Sequence, residues 1–173
     1  MSVLFSIPLS GLKEGRHTFD FEINKEFFDL FEESEVKEGN LVATTEVDRR
    51  SSHLDILVKI IGRVKISCDR CLEIFEHPID CENRLIVKFG KVRDDSDPDI
   101  IIVSSDEHEL DLKQSFYEFI HLALPIQRIH PRDNNGKSTC NAEMLEKLGA
   151  HLVTKERKND PRWEELRKLM NDN

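Results

Sequence analysis

Cys68-Asp69-Arg70-Cys71-Leu72-Glu73 follows one apolar run and precedes another, so it reads as the tight connection between two strands. The arm before it, His53-Leu54-Asp55-Ile56-Leu57-Val58-Lys59-Ile60-Ile61, is rich in branched residues and partly alternates. Gly62 interrupts this arm and predicts a bulge or bend, after which Val64 and Ile66 carry the strand into the turn. Beyond the turn, Glu73 to Asp80 and Leu85 to Phe89 predict two further strands, with Pro78 implying an edge position or a bend. The turn also sets two thiols three residues apart, able to face one centre, either a metal ion or each other. Arg70 between them offers a planar, permanently charged fork suited to phosphate or carboxylate.

Toward the N-terminus, Val3 to Leu9 and Arg16 to Ile23 predict paired strands around a glycine-containing turn. The second alternates, with Phe19, Phe21 and Ile23 on one face and Thr18, Asp20 and Glu22 on the other. Asn24 caps an expected helix over 25–33 that buries Phe27, Phe28 and Phe31. Gly39 to Arg49 then pairs with the His53 arm as a hairpin. Toward the C-terminus, Ile100 to Val103 predicts a strand returning to the sheet. Asp111 caps a helix over 111–124, with Leu112, Phe116, Phe119, Ile120 and Ala123 at helical spacing and Pro125 as its stop. A shorter helix is expected over 141–148. The fold class is therefore α+β: a curved antiparallel sheet or open β-barrel with a few peripheral helices and a C-terminal helix. Residues 1–149 form the mainly β domain. Residues 150–173 form a linker and a helix opened by Asp160-Pro161-Arg162-Trp163.

The 173 residues suffice for one domain with a real core, and 34% of them are charged. A net charge of -9 repels phosphate at long range and argues against an indiscriminate nucleic-acid binder. No apolar run reaches the ~20 residues of a membrane span, and the first residues lack a signal-peptide pattern, so a cytoplasmic location is expected. Reduced thiols then favour metal binding or burial over structural disulfides for Cys68, Cys71, Cys81 and Cys140. Charge divides along the chain. Bases outnumber acids from Lys59 to Arg93, whereas every ionised residue from Asp94 to Asp111 is acidic. That acidic stretch lacks the pattern of a calcium-binding loop.

Three readings of the thiols stand side by side. A redox dithiol fits the spacing, but such a motif normally opens a helix in a βαβ unit, and here strands flank it. A zinc site needs four ligands: Cys68 and Cys71 make one close pair, while His130, Cys140 and the spare Cys81 are the other candidates. The third reading is a buried thiol turn without metal. No glycine-rich phosphate loop, zinc-protease helix pair or serine elbow is present in the sequence, so no enzyme is expected.

Cys68-Asp69-Arg70-Cys71-Leu72-Glu73, Asp111-Leu112, Leu122-Ala123-Leu124-Pro125, His130, Cys140 and Asp160-Pro161-Arg162-Trp163 occur in one order over some two thirds of the chain. In this combination the sequence resembles the YceD family of large ribosomal RNA subunit accumulation proteins. The resemblance implies a non-enzymatic factor for accumulation of 23S ribosomal RNA and assembly of the large subunit. Some relatives carry a cysteine-rich knuckle after the Leu-Ala-Leu-Pro segment; here His130 and Cys140 stand where two of those cysteines would. If zinc is bound, its ligands are Cys68, Cys71, Cys140 and His130, and no other cofactor is expected. The expected partners are 23S ribosomal RNA or pre-50S ribosomal proteins, met through Arg70, Arg63, Lys65, Arg84, Lys88, Arg128 and Arg132, with no membrane and no small-molecule substrate. The alternative is a protein-protein adaptor with a zinc-knuckle-like site that binds a basic ribosomal protein.

Overall fold

The computed structural model describes residues 5–90, 100–104 and 106–152. Two long strands dominate it: β4 (His53–Ser67) and β5 (Ile74–Phe89) pair antiparallel along their whole length, from His53 opposite Lys88 to Ser67 opposite Ile74. β2 (Gly15–Ile23) and β3 (Glu38–Arg49) extend the sheet on one side. β6 (Ile100–Val103) closes the other side, giving a five-stranded order β2-β3-β4-β5-β6. The α+β class and the open sheet are as expected. One strand differs from the antiparallel expectation: β6 runs parallel to β5, so the sheet is mixed.

Side-chain alternation makes one face of this sheet the core. Leu54, Ile56, Val58, Ile60, Val64 and Ile66 of β4 are buried, whereas the intervening residues face outward. The inner face is covered by α1 (Lys25–Phe28), α2 (Lys113–Leu122) and a small second sheet. Asn24 caps α1 by accepting from Glu26 N, and Phe27 and Phe28 are fully buried. The expected helix over 25–33 is shorter than its pattern suggested, and the chain turns after Phe28. The helix expected over 111–124 is observed as Lys113–Leu122 with Leu112 at its N-cap and no side-chain cap bond; Asp111, one residue earlier, accepts from Lys113 N through Oδ1 at 2.8 Å. Phe5, Phe27, Phe28, Phe21 and Phe116 meet mostly edge to face or tilted, a dense aromatic layer between helices and sheet.

The pairing of Val3–Leu9 with Arg16–Ile23 is corrected. β1 (Ser6–Pro8) pairs instead with β7 (Glu109–Asp111), forming the small sheet. All nine residues of β2 pair with β3, and the three-residue β1, which ends in proline, takes its partners from β7 instead of adding a strand beside β2. β5 is likewise one strand through Pro78, where two were expected. Along Ile74 to Leu85 its second edge has no strand beside it among the described residues, which makes the proline tolerable. Gly62 lies in unbroken register opposite Leu41 and Ile79, so it is a close-approach glycine and not a bulge. The third helix, α3 (Ala142–His151), runs past the expected end at 148. Of the expected linker and C-terminal helix, residues 153–173 lie outside the described residues.

Candidate metal centre and nucleic-acid interface

The β4–β5 turn is closed by its own backbone. Cys68 N donates to Glu73 O and Leu72 N to Cys68 O, both at 2.9 Å. Leu72 takes φ 62°, a left-handed conformation uncommon for a branched side chain. Cys68 and Cys71 are buried by this fold of the chain, while Asp69, Arg70 and Leu72 face solvent.

A distant segment is clamped onto the turn. Asp69 N donates to Arg128 O, and Asp69 Oδ2 accepts from Arg128 N, each at 2.7 Å. Asn141 Nδ2 donates to Glu73 Oε1 at 2.7 Å, and the same Asn141 caps α3 by accepting from Met144 N. Phe75 packs on the His130 ring with centroids 4.6 Å apart, and Met144 and Leu145 of α3 cover the thiols.

These contacts bring one donor atom each from Cys68, Cys71, His130 and Cys140 within 4.8 Å of one another. Cys68 Sγ lies 3.8 Å from Cys140 Sγ, and Cys71 Sγ lies 3.4 Å from His130 Nδ1. Tetrahedral zinc with bonds of ~2.3 Å to sulfur and ~2.0 Å to nitrogen sets its sulfurs about 3.8 Å apart and sulfur and nitrogen about 3.5 Å apart. The four residues fit that ion in type and number, and these two separations match its spacing. Cys81 is elsewhere, beside the Phe119 carbonyl, and is not part of the cluster.

Burial opposes a charge on Cys68, but the N–H groups of Cys71, Arg70 and His130, with the His130 ring, favour the thiolate. The thiol drops from the ordinary 9.0 to about 6. Burial pushes the Cys71 thiol up, and the neighbouring Cys68 adds to it. In chelator-treated protein the depressed Cys68 contributes stability that is complete above 9.0 and is lost as pH falls through about 6. The raised Cys71 has the opposite sign, its contribution being lost as pH rises above the ordinary thiol value. Urea midpoints of the metal-free protein should therefore climb from pH 6 toward 9 and fall beyond it. The climb should be flattened in Cys68→Ser; an equal climb in that variant would count against the assignment.

The seven candidate contact bases are not brought together. Arg63, Lys65, Arg84 and Lys88 lie on the outer face of the sheet, three of them in cross-strand ion pairs. Lys65 Nζ meets Glu38 Oε2 at 2.6 Å, Arg63 meets Glu76 at 3.7 Å, and Arg84 takes both carboxylate oxygens of Asp55. The Lys65 hydrogen bond holds Glu38 below the usual carboxylate range, and Arg84 does the same for Asp55. Arg128 pairs with Glu35 at 2.6 Å, and Arg132 donates to Gly136 O at 3.2 Å. Arg70 is exposed and has no carboxylate partner among the described residues. The partners Glu38 and Asp55 were not singled out from sequence. Their signal is the strand register, which a linear count of bases and acids does not contain.

Fold and site define a small α+β protein with a Cys3His ligand cluster at the tip of its longest hairpin, pinned there by a segment some sixty residues further along. The chain belongs to the family described as large ribosomal RNA subunit accumulation protein YceD, whose model it matches over residues 56–170, more than half its length. Membership implies a role in large ribosomal RNA subunit accumulation. Comparison with curated proteins and with solved structures finds no match. No helix among the described residues is long and apolar enough to cross a membrane.

Proposed function

We propose that the protein serves large ribosomal RNA accumulation as a non-enzymatic factor that contacts RNA through the tip of the β4–β5 hairpin, with Arg70 as the principal contact. The observation that supports this is the state of Arg70. It is the exposed guanidinium between two buried thiols, and no carboxylate occupies it among the described residues. A fork carried on a turn with both flanks fixed loses little freedom on binding and takes a phosphate with two parallel bonds.

The acids of the turn and of the loop joined to it accept hydrogen bonds of their own. Asp69 accepts from Arg128 N, Glu73 from Asn141, and Asp133 from Asn135 N and Lys137 N. Arg132 and Lys137 lie on the loop between His130 and Cys140 that the ligand cluster joins to the turn. Cys68, Cys71, Cys140 and His130 would hold zinc, which when bound supplies a structural cross-link between the turn and this loop. Arg63, Lys65, Arg84, Lys88 and Arg128 are secondary, since four of them already have carboxylate partners.

Cells depleted of the protein should show a lower ratio of 23S to 16S ribosomal RNA. Wild type should restore the ratio, Arg70→Lys should restore it partly, and Arg70→Ala should fail at equal protein level. Full rescue by Arg70→Ala would remove Arg70 from the mechanism.

A further inference from the structure

The outer face of the five-stranded sheet carries a feature that the RNA reading does not use. Strand register places Glu22, Val42, Ile61 and Asp80 in one row across β2, β3, β4 and β5, and Asp20, Thr44, Lys59 and Glu82 in the next. Glu46 stands in the row after that, between Thr18 and Leu57. Val42 and Ile61 are directly opposed, 46% and 50% exposed, on the two central strands. Directly opposed side chains on one face lie about 5 Å apart, so these two make one continuous apolar spot. Around it stand five carboxylates, Asp20, Glu22, Glu46, Asp80 and Glu82, all exposed, against three bases: Lys59, and Arg63 and Arg84, which are already held by Glu76 and Asp55.

We infer that this patch of the outer sheet face docks a cationic polypeptide segment, which sets an aliphatic side chain against Val42 and Ile61 and its lysines or arginines against the surrounding carboxylates. Four strands span about 14 Å, enough for a short extended or helical segment. The charge selects the occupant. Phosphate is repelled by the unpaired carboxylates, which disfavours RNA and anionic lipid at this patch, away from the paired bases elsewhere on the face. A second copy of the chain related by a twofold axis would bring the same acids against one another. A small polyamine would satisfy the charge and leave the apolar centre wet. The carboxylates are available: among the described residues Glu22, Glu46, Asp80 and Glu82 form no ion pair, in contrast to Glu38 and Asp55 in neighbouring rows. The hairpin tip and this patch are separate, so the inference stands independently of the RNA contact.

The test is an amide-resolved NMR titration of the full chain with a short amphipathic lysine–leucine peptide, a lysine-only peptide of equal charge, and oligouridine. The lysine–leucine peptide should shift amides of Glu22, Val42, Ile61, Asp80 and Glu82 and bind about tenfold more tightly than the lysine-only peptide. The double variant Glu22→Lys, Asp80→Lys should weaken it by about tenfold or more, and Ile61→Thr should remove the preference for leucine, both at unchanged Tm. Equal binding of the two peptides, shifts centred elsewhere, or oligouridine shifting these same amides would overturn the inference.

Discussion

Chelation is expected to strip about one equivalent of zinc from the purified protein and to lower its Tm by roughly 10 °C. A ligand that binds only the folded state stabilises it by about 4 kcal/mol when free ligand is a thousandfold above its Kd, and a chain of this length shifts by about 2–4 °C per kcal/mol. The stabilisation reaches the fold because the four donors come from two distant parts of the chain. Cys68 and Cys71 sit on the hairpin turn, whereas His130 and Cys140 lie in the loop leading to α3. Cys68→Ser should lose both the metal and the chelator response. Cobalt substituted into wild type should give a thiolate charge-transfer band that Cys140→Ser weakens. Less than about a tenth of an equivalent of zinc in protein purified without chelator would end the assignment.

Gly62→Ala should be nearly as damaging, with a loss of about 3 kcal/mol or more. A Cβ at Gly62 would run into the Asn40 carbonyl and the Leu41 Cα, and both are backbone atoms of the neighbouring strand that cannot rotate away. The glycine also holds φ +156°, which side chains rarely adopt. Strand β3 can approach β4 this closely only because position 62 is bare. Gly149→Ala is the control. Nothing lies within 4 Å of a Cβ there, the site is exposed on α3, and alanine should stabilise by about 0.5–1 kcal/mol. Chemical unfolding of both variants checks the pair; Gly62→Ala unfolding at the wild-type midpoint would contradict the close approach.

What could be read from sequence tracks how local the information is. Alternation in Phe19, Phe21 and Ile23 and the branched run from Leu54 to Ile66 gave the sheet and its inner face, because a two-residue period needs no knowledge of the partner. Asn24 marked its helix through a capping oxygen, and Asp111 marked the next through a bond to Lys113 N from just before the cap, both acting within a few residues. The pairing of Ser6–Pro8 with Glu109–Asp111 was not legible, since a three-residue strand has no period and its partner lies about a hundred residues away. The parallel run of β6 was hidden for a related reason: four apolar residues carry no direction. Among the site residues, the ligand types and the Cys68–Cys71 spacing pointed to the cluster, and the geometry that joins His130 and Cys140 to it depends on Asp69, Glu73 and Asn141. The ion pairs of Lys65 with Glu38 and of Arg84 with Asp55 exist only once register is known, so these two bases looked freer in sequence than they are.

The central claim, an RNA contact made by Arg70 at the hairpin tip, is tested most directly by measuring affinity for a 23S-derived RNA across salt concentrations for wild type, Arg70→Lys and Arg70→Ala. Each phosphate contact contributes about one unit to the slope of log affinity against log salt. Arg70→Ala is therefore predicted to bind more weakly with a slope shallower by about 1, and Arg70→Lys to lose about 1 kcal/mol at a nearly unchanged slope, both at wild-type Tm. Unchanged affinity and slope in a folded Arg70→Ala would contradict the account.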